Sequence, residues 1–373
     1  MTDIKNDPFE EYIRHSAPTK RELGYAWYTA MGLQAVDGLE TSNYLRSTAI
    51  DNIEGKITIS EAGKLIKSYY EEAESRDSVD TKEADIVSVR IATILSEKSF
   101  TFSVPQYIGI HKRLFEGIYP HAGKIRDYNI SKKEWVLNGK SVHYGNAIEL
   151  RELLDYDINS EKEYEYDLTN TTSIIPHLAK FVSGLWQIHA FGEGNTRTTA
   201  VFLIKYLRSI GFDVTNNLFA ENSWYFRNAL VRANYNDFSN GIQETTYYLE
   251  LFLRNLLLGE KNELKNRFLH INWDGQKQDI GVEKQDIDAS KQDIEVEKQD
   301  ILIPDSVSNR TSGNIQSLFN KFGNDQFFGR TDVMQTLELT ASPASALIKK
   351  MLDLDLIRPV KGKGKGKYLF NQR

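Results

Sequence analysis

Residues 189 to 197 read His-Ala-Phe-Gly-Glu-Gly-Asn-Thr-Arg. Each type in that run has a use in phosphate chemistry. His189 carries the side chain whose ordinary pKa suits it to take a hydroxyl proton near neutral pH. Glu193 offers the hard oxygen that Mg²⁺ takes alongside substrate phosphates. Gly192 and Gly194 let the backbone come close to an anion, and Asn195 and Arg197 add side-chain donors to phosphate oxygens. A base, a metal ligand and an anion nest within nine residues imply phosphate transfer to a hydroxyl group.

Two helices must hold this run. Before it, Leu178, Phe181, Val182, Leu185 and Trp186 recur at three- and four-residue steps, and Leu203, Ile204 and Leu207 repeat the spacing after it. One helix therefore ends near His189, a Gly-rich loop turns, and a second starts near Asn195 to Arg197. The second helix's N-terminus supplies unpaired N–H groups and a positive dipole end.

The run resembles the signature of Fic-domain proteins, His-x-Phe-x-Asp/Glu-Gly-Asn-Gly-Arg-x-x-Arg. Members of that family typically transfer AMP from ATP to a Ser, Thr or Tyr hydroxyl of a target protein. The resemblance implies His189 as general base and Glu193 as Mg²⁺ ligand. Gly192, Gly194, Asn195, Thr196 and Arg197 then border the nucleotide, with Gly194, Asn195 and Arg197 forming the anion hole, and Phe191 pins the loop. Thr196 stands where the family has glycine, and Ala200 where it has a second arginine that grips the outer phosphates. The related Doc toxins depart at both places and act as protein kinases.

Composition is ordinary for a globular chain: 40% hydrophobic, 26% charged, net charge −6. The absence of cysteine excludes disulfides, thiolate nucleophiles and Cys-based zinc sites. The N-terminus is polar and acidic, unlike a secretory signal, and the longest apolar run, Leu249 to Leu258, is broken by Glu250, Arg254 and Asn255. The expectation is a soluble cytoplasmic protein without a membrane partner.

Residues 20 to 73 read as helices: Tyr25 to Val36, stopped by Asp37-Gly38, then Thr41 to Ile50, then one capped by Thr58 or Ser60. Their order resembles the antitoxin of Fic toxin–antitoxin pairs, whose inhibitory glutamate pairs with the second arginine of the active-site motif. Asp37 takes that glutamate's position. Its partner position is Ala200, so the sequence predicts no ion pair there.

Helices are expected over 82–116, including Val104 to Phe115, then a hairpin over Ile130 to Tyr144 turning at Asn138-Gly139. By resemblance this is the flap that docks the target's main chain as a β-strand, with Trp135, Val136 and Leu137 on it. Ile148 to Ile158 reads as a short helix, and Ser160 to Asp167 as a solvated acidic loop. Tyr225 and Asn228 lie in a helical stretch, Phe219 to Asn236, where they are candidates for lining an adenine pocket, although aromatics at helical spacing are more often core. A last core helix covers about Gln243 to Leu258.

Lys-Gln-Asp-Ile recurs at 277, 284, 291 and 298, a seven-residue repeat whose apolar residues fall two apart. A coiled coil needs three- and four-residue steps, so this reads as a charge-balanced tether, helical in part. The tail from 305 carries 11 Lys and Arg against 6 Asp and Glu, a net of +5. Ile315 to Phe322, Thr331 to Leu337 and Ser342 to Leu352 read as helices, followed by a hairpin over Ile357 to Phe370 with Lys361, Lys363, Lys365 and Lys367 at its tip. That order resembles a winged helix-turn-helix, which commonly meets DNA.

The reading is an all-α Fic core with a small β-hairpin flap and a mainly α winged helix-turn-helix domain. Its parts are 1–75 helical and antitoxin-like, 76–270 the core, 271–304 the repeat linker and 305–373 the basic domain. The expected activity is AMP transfer from ATP-Mg²⁺ to a protein hydroxyl. The alternatives are Doc-like phosphotransfer with the nucleotide reversed, or a nucleotide-sensing DNA-binding regulator with a degenerate core. The expected partners are a protein bearing an acceptor hydroxyl and, through the tail, DNA; the oligomeric state is open.

Overall fold

Apolar residues at helical steps bury most of residues 18–273 in one core, and a second small core forms near the C-terminus. The computed structural model describes residues 18–72, 79–167, 170–214, 216–273, 294–296, 309–322, 327–337, 339–354, 356–360 and 366–371. The chain divides into two compact units at residues 296 and 297.

The first unit is helical. Helix α1 (Pro18–Gly32) runs into a 3₁₀ turn, Leu33–Asp37, stopped by Gly38 at φ 68°, the left-handed cap glycine accepts most readily. Helices α2 (Asn43–Ile53) and α3 (Ile59–Glu72) follow. Thr58 caps α3: its Oγ1 accepts from Glu61 N–H at 3.2 Å, and Glu61 reaches back to Thr58 N–H at 2.7 Å. Helix α4 (Val79–Ser96) anchors these through buried Asp85, which accepts Ser42 N–H at 2.9 Å and Tyr70 O–H at 2.8 Å.

Helix α5 (Val104–Phe115), capped by Ser103, precedes strand β1 (Ile130–Lys132). Helices α6 (Leu150–Glu163), α7 (Thr171–Ile188) and α8 (Asn195–Ser209) follow. Then come α9 (Leu218–Glu221), α10 (Ser223–Arg232) and α11 (Tyr247–Leu258). No helix among the described residues is long and apolar enough to cross a membrane.

Two local expectations are corrected in part. Of the hairpin expected over Ile130 to Tyr144, the first strand and the reversal at Asn138-Gly139 are present, with Glu134 N–H donating to Lys140 O at 3.0 Å, but no second strand pairs back on β1. After β1 the chain makes a 3₁₀ turn, Trp135–Leu137, closed by Asn138 in the left-handed region, and Val136 and Leu137 sink fully into the core. Strand β1 instead pairs antiparallel with β2 (Ile294–Val296), inside the repeat. Residues 294–296 are extended, in keeping with the two-residue apolar spacing of the repeat; the rest of the expected tether lies outside the described residues. The solvated acidic loop is corrected at one residue: Glu163, Glu165 and Asp167 are exposed as expected, and Glu161 is not. Helix α6 continues to Glu163 and buries Glu161, which accepts Tyr206 O–H at 2.6 Å, a bond from Tyr166 O–H, and bonds His177 Nε2 at 2.8 Å. Three ring partners satisfy a carboxylate that charge counting places in water.

The second unit has α12 (Asn309–Phe322), β3 (Phe328–Gly329), α13 (Arg330–Leu337), α14 (Ala341–Asp353), β4 (Ile357–Pro359) and β5 (Lys367–Phe370). Its sheet is antiparallel in the order β3-β5-β4. The three expected helices and hairpin are present, with β3 added. Of the tip lysines, Lys361, Lys363 and Lys365 lie outside the described residues; Lys367 is paired with Asp332 at 3.0 Å.

Candidate functional site

His189 ends α7 in the left-handed region, φ 49°, a conformation uncommon outside glycine. What holds it there is Arg126. Its Nε donates to His189 O at 2.8 Å, its Nη1 to Tyr128 O and its Nη2 to Gly145 O, both at 2.5 Å, and its own N–H to Ala190 O at 2.9 Å. One guanidinium thus staples the loop to the chain before β1 and to the segment entering α6. Nothing in the spacing of Arg126 announces this.

The imidazole is 2% exposed, and neither ring nitrogen has a hydrogen-bond partner among the described residues. Burial first, then the positive charges of Lys132, Arg126 and Arg227, hold it well below its ordinary pKa. The ring is therefore neutral at physiological pH, with a lone pair available. Tyr144 packs against it, ring centroids 4.3 Å apart. Tyr144 O–H donates to Glu134 at 2.9 Å, and Glu134 pairs with buried Arg227 through contacts of 2.7 and 3.2 Å.

The loop carries the anion nest. Gly194 caps α8 at φ 73°, and a Cβ there would stand 2.3 Å from the Phe115 ring. A Cβ on Gly192 would meet Tyr128 Oη at 2.6 Å. Both positions admit only glycine without rearrangement. His111 locks the turn between them. Its Nδ1 accepts Gly123 N–H at 2.8 Å, which makes Nε2 the donor to Glu193 O at 2.9 Å, and its ring stacks on Phe191 at 3.7 Å. Phe191 is fully buried, as the anchoring role requires.

Burial, foremost, lowers the His111 pKa to about 4. An unfolded histidine takes its proton near 6.5, so between 6.5 and about 4 the unfolded chain binds more protons than the folded one. Stability is therefore constant in this respect above 6.5 and declines as pH falls below it, by about 3 kcal/mol at the lower limit. Denaturation at pH 7 and pH 4.5 checks this; in His111→Gln, which keeps a donor and an acceptor, the pH dependence shrinks.

The expected phosphate donors turn out to be engaged. Asn195 spends its side chain on Phe191, accepting its N–H at 3.0 Å and donating to its carbonyl at 2.7 Å. It shapes the loop, and the backbone N–H groups at the start of α8 remain the donors that face outward from such a turn. Thr196 Oγ1 accepts Trp186 Nε1–H at 3.0 Å and is 5% exposed, so its side chain packs inward.

Arg197 is fully buried. Its Nε lies 2.7 Å from Asp37 Oδ2 and its Nη2 2.8 Å from Glu83 Oε1, Nη1 donates to Gln34 Oε1 at 3.0 Å, and the guanidinium sits 4.8 Å above the Phe115 ring. Burial opposes its charge, but Asp37, Tyr119 and Glu83 raise its pKa overall. The sequence reading excluded an ion pair between Asp37 and position 200 and foresaw no other partner: with Ala200 buried and unable to pair, the carboxylate reaches Arg197, one helical turn earlier.

Glu193 pairs with Lys132 at 3.1 Å, and Lys132 is 8% exposed. Strand β1 thus delivers a cation to the acidic residue of the loop, a residue the sequence reading missed because it lies 61 positions away. No group of three or more His, Asp or Glu that could hold a metal occurs among the described residues. A lone, partly exposed carboxylate suits an Mg²⁺ that brings its other oxygens from water and phosphate. Val136 and Leu137 are buried and Trp135 packs its edge on His270, 5.1 Å between centroids, so the strand edge of this region is β1, which β2 covers. Tyr225 and Asn228 are core: Tyr225 O–H donates to Tyr248 O at 3.2 Å, and Asn228 Nδ2 to Asn266 Oδ1 at 2.9 Å.

Compared with known proteins, residues 101–207 match the model of the Fic/DOC family. That span runs from the start of α5 through the loop to the end of α8 and contains every loop residue described above. No curated protein matches the chain.

Proposed function

We propose that this Fic/DOC domain transfers AMP from ATP-Mg²⁺ to a Ser, Thr or Tyr hydroxyl of a target protein. The observation that carries the reading is His189: a buried, neutral imidazole with unpartnered nitrogens, set in a strained turn beside a glycine-bordered helix N-terminus. A site with no base to supply has no use for that arrangement. His189 takes the proton of the target hydroxyl as its oxygen bonds to the α-phosphorus; the bond to the β-phosphate bridge breaks and pyrophosphate leaves. Backbone N–H groups of the α8 start stabilise the charge gathering on the transferred group. Glu193 would hold the metal, which neutralises the triphosphate when bound, and Lys132 stands beside it as a further cation.

The buried Ala200 offers the outer phosphates no cation, which favours a second reading, phosphotransfer with the nucleotide reversed. Incubating the protein with lysate, Mg²⁺ and ATP labelled on the α- or γ-phosphate separates the two. Protein labelled only from the α position supports AMP transfer; only from the γ position, a kinase. Absence of any His189-dependent label from either sinks both.

Asp37 and the antitoxin-like segment fit an inhibitory role in this reading, because Asp37 and Glu83 take the charge that an incoming phosphate would need from Arg197. Asp37→Ala is expected to raise label transfer about fivefold or more, the low end of ordinary coupling free energies. An unchanged or lower rate would make Asp37 a purely structural partner.

A further inference from the structure

Strand β1 is an edge with one occupant, and that occupant is the chain itself. Ile130 opposes Val296, Ser131 opposes Glu295 and Lys132 opposes Ile294. Lys132 N–H turns the other way, to Ser141 Oγ at 3.1 Å, so by strand alternation the outward main-chain groups are those of Ser131. Lys132 reaches Glu193 in the site, so whatever pairs along β1 lies at the mouth of the site.

We propose that Ile294–Val296, within the Lys-Gln-Asp-Ile repeat, holds the β1 edge in cis and excludes any other strand from it. Three properties of the repeat suit it to this. Its apolar residues fall two apart, Ile280 and Val282, Ile287 and Ala289, Ile294 and Val296, which is the period of a strand. Its sevenfold spacing offers further units of nearly the same sequence once one is displaced, and the tether keeps them at high effective concentration. The unit that supplies β2, Lys-Gln-Asp-Ile-Glu-Val-Glu from 291, has no hydroxyl, and Ser290 is the only one between 277 and 301. A strand seated on β1 without an acceptor hydroxyl fills the edge and cannot itself be modified. The regulatory meaning rests on the transferase reading above; the occupancy does not.

The test uses the full chain and a variant in which residues 277–301 are replaced by Gly and Ser at equal length. All five tryptophans lie between Trp27 and Trp273, outside that span, so their fluorescence in urea verifies that the helical unit still folds. Hydrogen exchange at the Ser131 amide is expected to be at least about tenfold faster in the variant, as a lost ladder bond requires. A fluorescein-labelled Lys-Gln-Asp-Ile-Glu-Val-Glu peptide, followed by anisotropy, is expected to bind the variant at least about tenfold more tightly than the parent, by relief of the tethered competitor. The same peptide with proline for its first glutamate, the Glu295 whose N–H the register sets against Ser131, cannot donate to that ladder and serves as control. Equal exchange in the two chains overturns the proposal, and so does equal peptide binding. Neither readout depends on catalysis, so a failure of label transfer leaves this result standing and identifies the transferase reading as the one at fault.

Discussion

Replacing His189 by alanine is expected to lower label transfer about 10²–10⁴-fold, the usual contribution of a positioned general base. The fold should survive, because neither ring nitrogen holds a partner and the backbone carbonyl that Arg126 grips is unaffected. Tryptophan-monitored denaturation of the variant checks that point. A rate within a few-fold of the parent's would remove His189 from the chemistry. The pH profile gives a second check with a definite sign. The base form exists above the pKa, and burial with the nearby cations sets that pKa well below 6.5. Activity should therefore stay level from neutral pH down through 6.5 and fall only at lower pH. A half-maximal point at 6.5 would mean that the ring is solvated in the working enzyme.

Arg227→Leu is expected to cost roughly 3–5 kcal/mol of stability, because it leaves the Glu134 carboxylate buried without its cation. Arg227 is 5% exposed, and Glu134 is fully enclosed. Burial opposes the charge on Arg227, but Glu134, by attraction and hydrogen bonding, raises its pKa overall. All five tryptophans lie between Trp27 and Trp273, so their fluorescence in urea follows the helical unit alone. The double variant Glu134→Leu/Arg227→Leu should recover much of the loss, since it removes both charges rather than stranding one. A single variant as stable as the parent would show that water reaches Glu134. Label transfer should also fall in the single variant, because Glu134 holds Tyr144 against the His189 ring.

The helices were legible in the sequence because their apolar residues repeat at helical steps and their caps are local: Thr58 with Glu61, Ser103 before Val104, Gly194 before Asn195. The loop was legible for a similar reason. Its base, acid and glycines lie within nine residues, so spacing alone brings them together. The roles of Asn195 and Thr196 were not, because a side chain that can bond phosphate can equally bond Phe191 or Trp186, and only the finished turn selects between them.

What tertiary structure alone decided is every contact made across a long separation. Arg126 and His111 shape the loop from 63 and 82 positions away in their hydrogen bonds to His189 O and Glu193 O. Arg197 meets Gln34 across 163 positions, beside Asp37. Val136 and Leu137 left the expected hairpin because burial in the core outweighs their local strand preference. Glu161 went inward because two tyrosines and a histidine converge on it from α7, α8 and the end of α6. Local spacing fixes which groups can act; packing fixes which of them are already spoken for, because a buried charge or polar atom must find its partner wherever in the chain that partner lies.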